Sequence, residues 1–207
     1  MPDSELLVRP DNARLLYVLA HGAGAGMRHP FMQAIARELA DRGVATFRWE
    51  FPYMREKRGR PDPPAVATAA VREAVAKAAA AAPDLPLVAG GKSFGGRMTS
   101  TAQAEAALPG VRGLVFLGFP LHAPKRPSDT RAAHLAEVQI PMLFLQGTRD
   151  DLADLTLLEP ACKKLGSRAT LHIVEGGDHS FKVLKRSGRT DAETLAELAD
   201  TIAAWRV

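Results

Sequence analysis

Three residues of this 207-residue chain could together turn a hydroxyl into a nucleophile: Ser93, Asp150 and His179. A serine hydroxyl attacks poorly at neutral pH unless a histidine takes its proton, and that histidine needs an acid to hold its tautomer and balance its charge. Ser93 lies in GGKSFGG (90–96), Asp150 in QGTRDD (146–151) and His179 in EGGDHSF (175–181). Each stretch follows a short apolar run that reads as a strand, so one sheet edge could present all three. Asp151 is the nearest competitor for the acid. The chemistry such a set performs is acyl transfer, with attack of the serine on an acyl carbon and hydrolysis of the acyl-enzyme by water.

The glycines around Ser93 admit a second reading, because Gly91, Lys92 and Ser93 also spell the end of a phosphate-binding loop. That loop needs a glycine five positions before its last one, and position 86 is Pro86. The remaining reading is a G-x-S-x-G elbow: a strand (87–89), a turn too tight for side chains beside the serine, and a helix from about Gly96. An elbow also requires two N–H groups aimed at the charge that develops on the substrate oxygen. Phe94, the residue after the nucleophile, supplies one. The glycine-rich turn HGAGAG (21–26) supplies the other, assigned to Ala23 with Gly24 as alternative, and His21 braces the turn. The same turn fails as a dinucleotide fingerprint, since Met27 stands where a third glycine is required, although Glu50 ends the next strand.

Positioning these loops requires a scaffold, and the hydrophobic pattern supplies one. Apolar runs at Leu15–Ala20, Val44–Trp49, Leu87–Ala89, Leu114–Leu117, Met142–Leu145 and Thr170–Val174 alternate with helical patterns at 31–41, 66–82, 96–107 and 155–165. A final helix opens with a Thr190/Glu193 capping box and carries a stripe of Leu195, Leu198, Ile202 and Trp205. Strands that are apolar throughout predict an α/β fold, a mostly parallel sheet of six to seven strands covered on both faces, with ligands at its carboxyl edge. Two irregular stretches, Pro120–Thr130 and Phe51–Pro64, are candidate lids. The pocket is expected to be shallow and open, walled by Phe51, Tyr53 and Met54 after one strand and Leu121 and His122 after another. Gly24 and Lys92 are counted with it. His29, His134 and His172 are expected to be structural or exposed.

The apolar fraction of 46% and charged fraction of 24% are ordinary for a globular chain, and the length predicts one domain spanning 1–207. No apolar run is long enough to span a bilayer. The start MPDSELLVRP lacks a leader pattern and Cys162 has no partner, which predicts a cytoplasmic location. The net charge of +4 raises nucleic-acid binding, but the clusters Arg55, Lys57, Arg58, Arg60 and Lys125, Arg126, Arg131 lack interleaved aromatics, so no nucleic-acid partner is expected. The first cluster hints at an anionic group on the substrate.

Taken together, HGAG, GKSFGG, QGTRD and GGDHSF resemble the α/β-hydrolase superfamily. FRWEFPYM (47–54), FPLHAPKRP (119–127) and LFLQGTRD (143–150) are similar to its small, capless, dienelactone-hydrolase-like group, whose relatives include a subunit of the nonspecific-lethal chromatin complex. The likeness runs over about residues 15–205. It implies an α/β-hydrolase fold without a large cap domain, and cleavage of an ester, thioester or related acyl bond of a small molecule without cofactor or metal. The chain is expected to be a monomer or homodimer with no membrane partner. Ser93 stands where dienelactone hydrolases proper carry cysteine. A non-catalytic interaction protein that retains the fold is the alternative from another class.

Overall fold

The computed structural model describes residues 4–206. Strands β1 (Glu5–Val8), β2 (Leu15–Ala20), β3 (Val44–Trp49), β4 (Leu87–Lys92), β5 (Val111–Leu117), β6 (Met142–Gly147) and β7 (Ala169–Val174) form one sheet in the order β1-β3-β2-β4-β5-β6-β7. Only β1 runs antiparallel, along β3; every other pairing is parallel. Helices α1 (Pro30–Asp41) and α6 (Asp191–Ala204) cover one face, and α3 (Pro64–Ala81), α4 (Phe94–Glu105) and α5 (Leu155–Leu165) the other.

The pleat divides each strand's side chains between these faces. In β2, Leu16, Val18 and Ala20 enter the core beneath α3 and α4, while Leu15, Tyr17 and Leu19 enter the core beneath α1 and α6. Tyr17 is fully buried, and its hydroxyl donates to the Val115 carbonyl at 2.9 Å, so that polar atom is satisfied within an apolar layer. Alanines 67, 70, 74 and 78 give α3 a small-residue face packed close to the sheet and α4.

The strand order reverses between β2 and β4. From β2 the chain crosses outward to β3 and then returns to place β4 on the other side of β2. Loops leaving β2 and β4 therefore diverge to opposite faces, and a crevice opens between them at the carboxyl edge. Both the 21–26 turn and Ser93 lie there.

Expected elements and observed ones differ at several places. β1 was not foreseen. A short helix α2 (Pro52–Arg55) lies in a stretch expected to be irregular, and an unforeseen 3-10 helix (Thr130–Glu137) begins where the other such stretch ends. β4 also continues through Gly90 and Gly91 to Lys92. Neither candidate lid closes over the crevice. The Phe51–Pro64 stretch is pinned by buried Asp62, which accepts from the Tyr53 N–H (3.0 Å) and pairs with Arg58 (2.6 Å). The Pro120–Thr130 stretch is pinned by His122, whose ring accepts from the Asp154 N–H.

Candidate active site

Ser93 joins β4 to α4 with φ 50° and ψ −116°, a left-handed backbone that costs a side-chain-bearing residue about 1–3 kcal/mol. Its neighbours explain how so sharp a turn fits. A Cβ on Gly91 (φ +149°) would come 2.2 Å from the Ala20 carbonyl oxygen, and one on Gly95 would come 2.5 Å from that of His21. The turn is wedged against the end of β2, and only glycine fits on either side. The Ser93 N–H donates to Leu117 O at 3.1 Å, tying the turn to β5 as well.

His179 comes from the loop after β7. Asp178 organises that loop: its carboxylate accepts from the Ser180 and Lys182 N–H groups at 2.8 and 2.9 Å, and its carbonyl accepts from Phe181 N–H. Phe181 is held at φ +61° and turned inward, 3% exposed. The imidazole reaches both partners at once, with Nδ1 2.8 Å from Asp150 Oδ2 and Nε2 2.9 Å from Ser93 Oγ.

Asp150, after β6, is buried and surrounded by donors: Leu152 N–H at 2.8 Å, Gln146 Nε2 at 2.5 Å and His179 Nδ1. Burial opposes its ionisation, but the hydrogen bond and charge of His179, the Leu152 N–H and the nearby Lys92 outweigh it and hold the carboxyl below its ordinary range. An ionised Asp150 can only accept, so Nδ1 carries the proton and Nε2 offers its lone pair to the serine hydroxyl. Asp151 is exposed in the neighbouring turn.

The 22–27 turn is braced from beneath. His21, fully buried, bonds through Nδ1 to Gly22 O (2.8 Å) and through Nε2 to Phe51 N–H (3.1 Å). Tyr53 Oη donates to Gly22 O (3.2 Å) and Ala23 O (2.7 Å), and Glu50 accepts from Met27 N–H at 2.9 Å. In a trans peptide the N–H points opposite the preceding carbonyl. Holding the Gly22 and Ala23 carbonyls inward therefore turns the N–H groups of Ala23 and Gly24 outward, toward the crevice. Phe94 opens α4, so its N–H has no acceptor within the helix.

A cavity of about 820 Å³ opens above Ser93, and it lies on the α1/α6 side of the elbow. Its walls are Gly22–Ala25, the start of α1 (Pro30, Phe31, Met32, Ala34), Leu152, the 179–182 loop, and Asp191 and Leu195 of α6, with Lys92 also lining it. Gly24 and Lys92 are where the sequence pattern put them. Tyr53, Met54 and His122 are not. Tyr53 is 1% exposed beneath the turn, and its ring packs with Phe51 and Phe94. Phe51 and Leu121 are likewise wholly buried. Met54 packs onto the α3/α4 core. His122 is spent on structure, accepting from Asp154 N–H at 2.9 Å and bonding Ala123 O at 2.9 Å. Aromatic packing fills that side of the elbow, so the opening falls on the other.

The basic Arg55–Arg60 cluster also lies outside the cavity lining. Of the other histidines, His29 caps α1 and stands at the cavity rim, His134 bonds Ser100 Oγ at 2.8 Å, and His172 pairs with Glu197 at 2.7 Å.

Residues 13–207 match the family described as "Alpha/beta hydrolase domain". The chain is an α/β hydrolase. Among solved structures this α/β hydrolase is similar to a dienelactone hydrolase from Anabaena variabilis, with 23% identity over 97% of this chain and 89% of that one and a TM-score of 0.72. It is similar also to a serine hydrolase without lid from Xanthomonas campestris (20% identity, 97% and 88% covered, TM-score 0.73). A third is Est1E from Butyrivibrio proteoclasticus, solved with ferulic acid bound (16% identity, 96% and 95% covered, TM-score 0.66). At these identities the likeness is one of fold. Like the lid-less neighbour, this α/β hydrolase has, among the described residues, no large cap domain over the sheet's carboxyl edge. Among the described residues no helix is long and apolar enough to cross a membrane.

Proposed function

We propose that the protein is a serine hydrolase that cleaves a carboxylic ester or thioester through an acyl-enzyme. The observation that carries this reading is the continuous hydrogen-bonded chain from Asp150 through His179 to Ser93 at the floor of a cavity. Ser93 Oγ attacks the acyl carbon as its proton passes to His179 Nε2, and Asp150 balances the imidazolium. The N–H groups of Phe94 and of Ala23 or Gly24 hold the oxyanion. The imidazolium then protonates the departing alkoxide or thiolate. Water enters, gives a proton to Nε2 and adds to the acyl carbon, and the acid leaves as Ser93 regains its proton.

The walls bear on the substrate. Pro30, Phe31, Met32, Leu152, Phe181 and Leu195 are apolar, with Lys182 and Asp191 beyond them. An uncharged apolar acyl or alcohol group suits them better than an anionic one. A purely structural partner protein has no physical need for a desolvated carboxylate, a histidine and a strained serine aligned across three loops.

Incubation with a fluorophosphonate, read by intact mass, tests the reading. One adduct is expected on the native chain and none on Ser93→Ala or His179→Ala. A folded native chain that takes no adduct would refute it.

A further inference from the structure

The reaction just described leaves Lys92 without a part, although its ammonium sits at the centre of the site. Lys92 ends β4 and immediately precedes Ser93. Its Nζ donates to the backbone carbonyl of His179 at 2.5 Å and lies 5.3 Å from the centroid of the Phe181 ring. The space it occupies is left by Gly118, whose φ is +69°. A Cβ there would come 2.9 Å from Lys92 Nζ and 3.4 Å from both Asp150 Oδ2 and His179 Nδ1. Asp150 and Asp178 attract the ammonium, yet among the described residues neither comes within direct ion-pair distance of it. A lysine that served only solubility would extend into water, and one that served only the fold would take a carboxylate partner.

The loop bearing His179 has its own internal ties through Asp178, and it meets the β6 loop through Arg149 N–H to Gly177 O at 2.9 Å. None of these reaches β4. Apart from the imidazole–hydroxyl contact itself, the Lys92–His179 hydrogen bond is the polar link, among the described residues, between the backbone that carries the base and the strand that carries the nucleophile. We infer that Lys92 is a positioning residue, holding the His179 main chain to β4 so that Nε2 meets Ser93 Oγ at reacting distance. This rests on the assignment of Ser93 and His179 above.

The role predicts particular variants. Lys92→Met keeps the length and loses the donor, and it should slow fluorophosphonate labelling of Ser93, and kcat on a nitrophenyl ester, by about 10- to 100-fold with KM little changed. Lys92→Gln retains an N–H donor and should fall less. In Lys92→Ala, propylammonium should restore part of the rate, whereas tetramethylammonium, which has no N–H, should not. A folded Lys92→Met labelled at the native rate would overturn the inference while leaving the serine assignment intact. So would equal losses in Met and Gln, or rescue by both cations or by neither. A native chain that is not labelled at all would instead sink the underlying assignment.

Discussion

Replacing Lys92 with methionine should change how the protein's stability depends on pH, and the size of the change follows from burial. The residue is half-buried, but its ammonium lies inside, against Phe181; burial pulls it from the ordinary 10.5 down to about 8, against the attraction of Asp150 and Asp178. Below pH 8 the lysine is charged in folded and unfolded chains alike, and the full desolvation cost is present. Between the folded and unfolded values the unfolded chain holds more protons, so native stability rises with pH. The gap is worth about 3 kcal/mol in full, of which about 2.5 kcal/mol is recovered between pH 7 and pH 10. Lys92→Met lacks the group. The native-minus-variant stability difference should therefore rise by that amount over this range, whatever the hydrogen bond to His179 contributes. Urea unfolding at pH 7 and pH 10, followed by the fluorescence of Trp49 and Trp205, measures it, and groups common to both chains cancel. A difference that stays flat would show that the ammonium is not desolvated and would remove the ground for placing it inside the site.

Asp150→Asn should lower kcat by about 10³- to 10⁴-fold with little loss of fold, because an amide no longer fixes the Nδ1–H tautomer. Asp151→Asn should stay within about twofold, as expected of an exposed turn residue; comparable losses in the two would displace Asp150. Tyr53→Phe frees the Gly22 and Ala23 carbonyls and should reduce kcat about tenfold while costing about 1 kcal/mol of stability by urea unfolding; an unchanged kcat would mean the turn holds its shape without the hydroxyl. Leu195→Trp narrows the cavity from α6 and should raise KM for octanoyl esters while leaving acetyl esters nearly unaffected; a uniform effect would place the acyl group elsewhere.

The three side chains that meet in the structure, Ser93, Asp150 and His179, were legible in the sequence because each hangs from a strand end marked by apolar residues and nearby glycine. β2 and β3 were bounded as the apolar pattern indicates, since those strands are buried on both faces. The end of β4 was not, because Gly90 and Gly91 read as a turn. They remain strand because flanking backbone crowds them: a Cβ on Gly90 would come 1.9 Å from Val115 O. β1 has four residues and one fully paired neighbour, too little for a period to show. The wall residues were misplaced for a different reason. Phe51 and Tyr53 follow a strand, as pocket residues should, but nothing local says which way an aromatic ring turns. Here they meet Phe94 edge to face inside the molecule. The signals that marked the cavity side were HPFM (29–32), shortly after the glycine turn, and SF directly after His179.

The cavity's position separates two things that many sites mix. Ser93, Asp150 and His179 are fixed by the ends of β4, β6 and β7, whereas much of the opposing wall comes from α1 and α6, which pack on each other across one face. Substitutions along those two helices can reshape the cavity without touching the strands that hold Ser93, Asp150 and His179. Such a molecule can acquire a new preference by gradual change at its periphery, each step keeping the chemistry it began with.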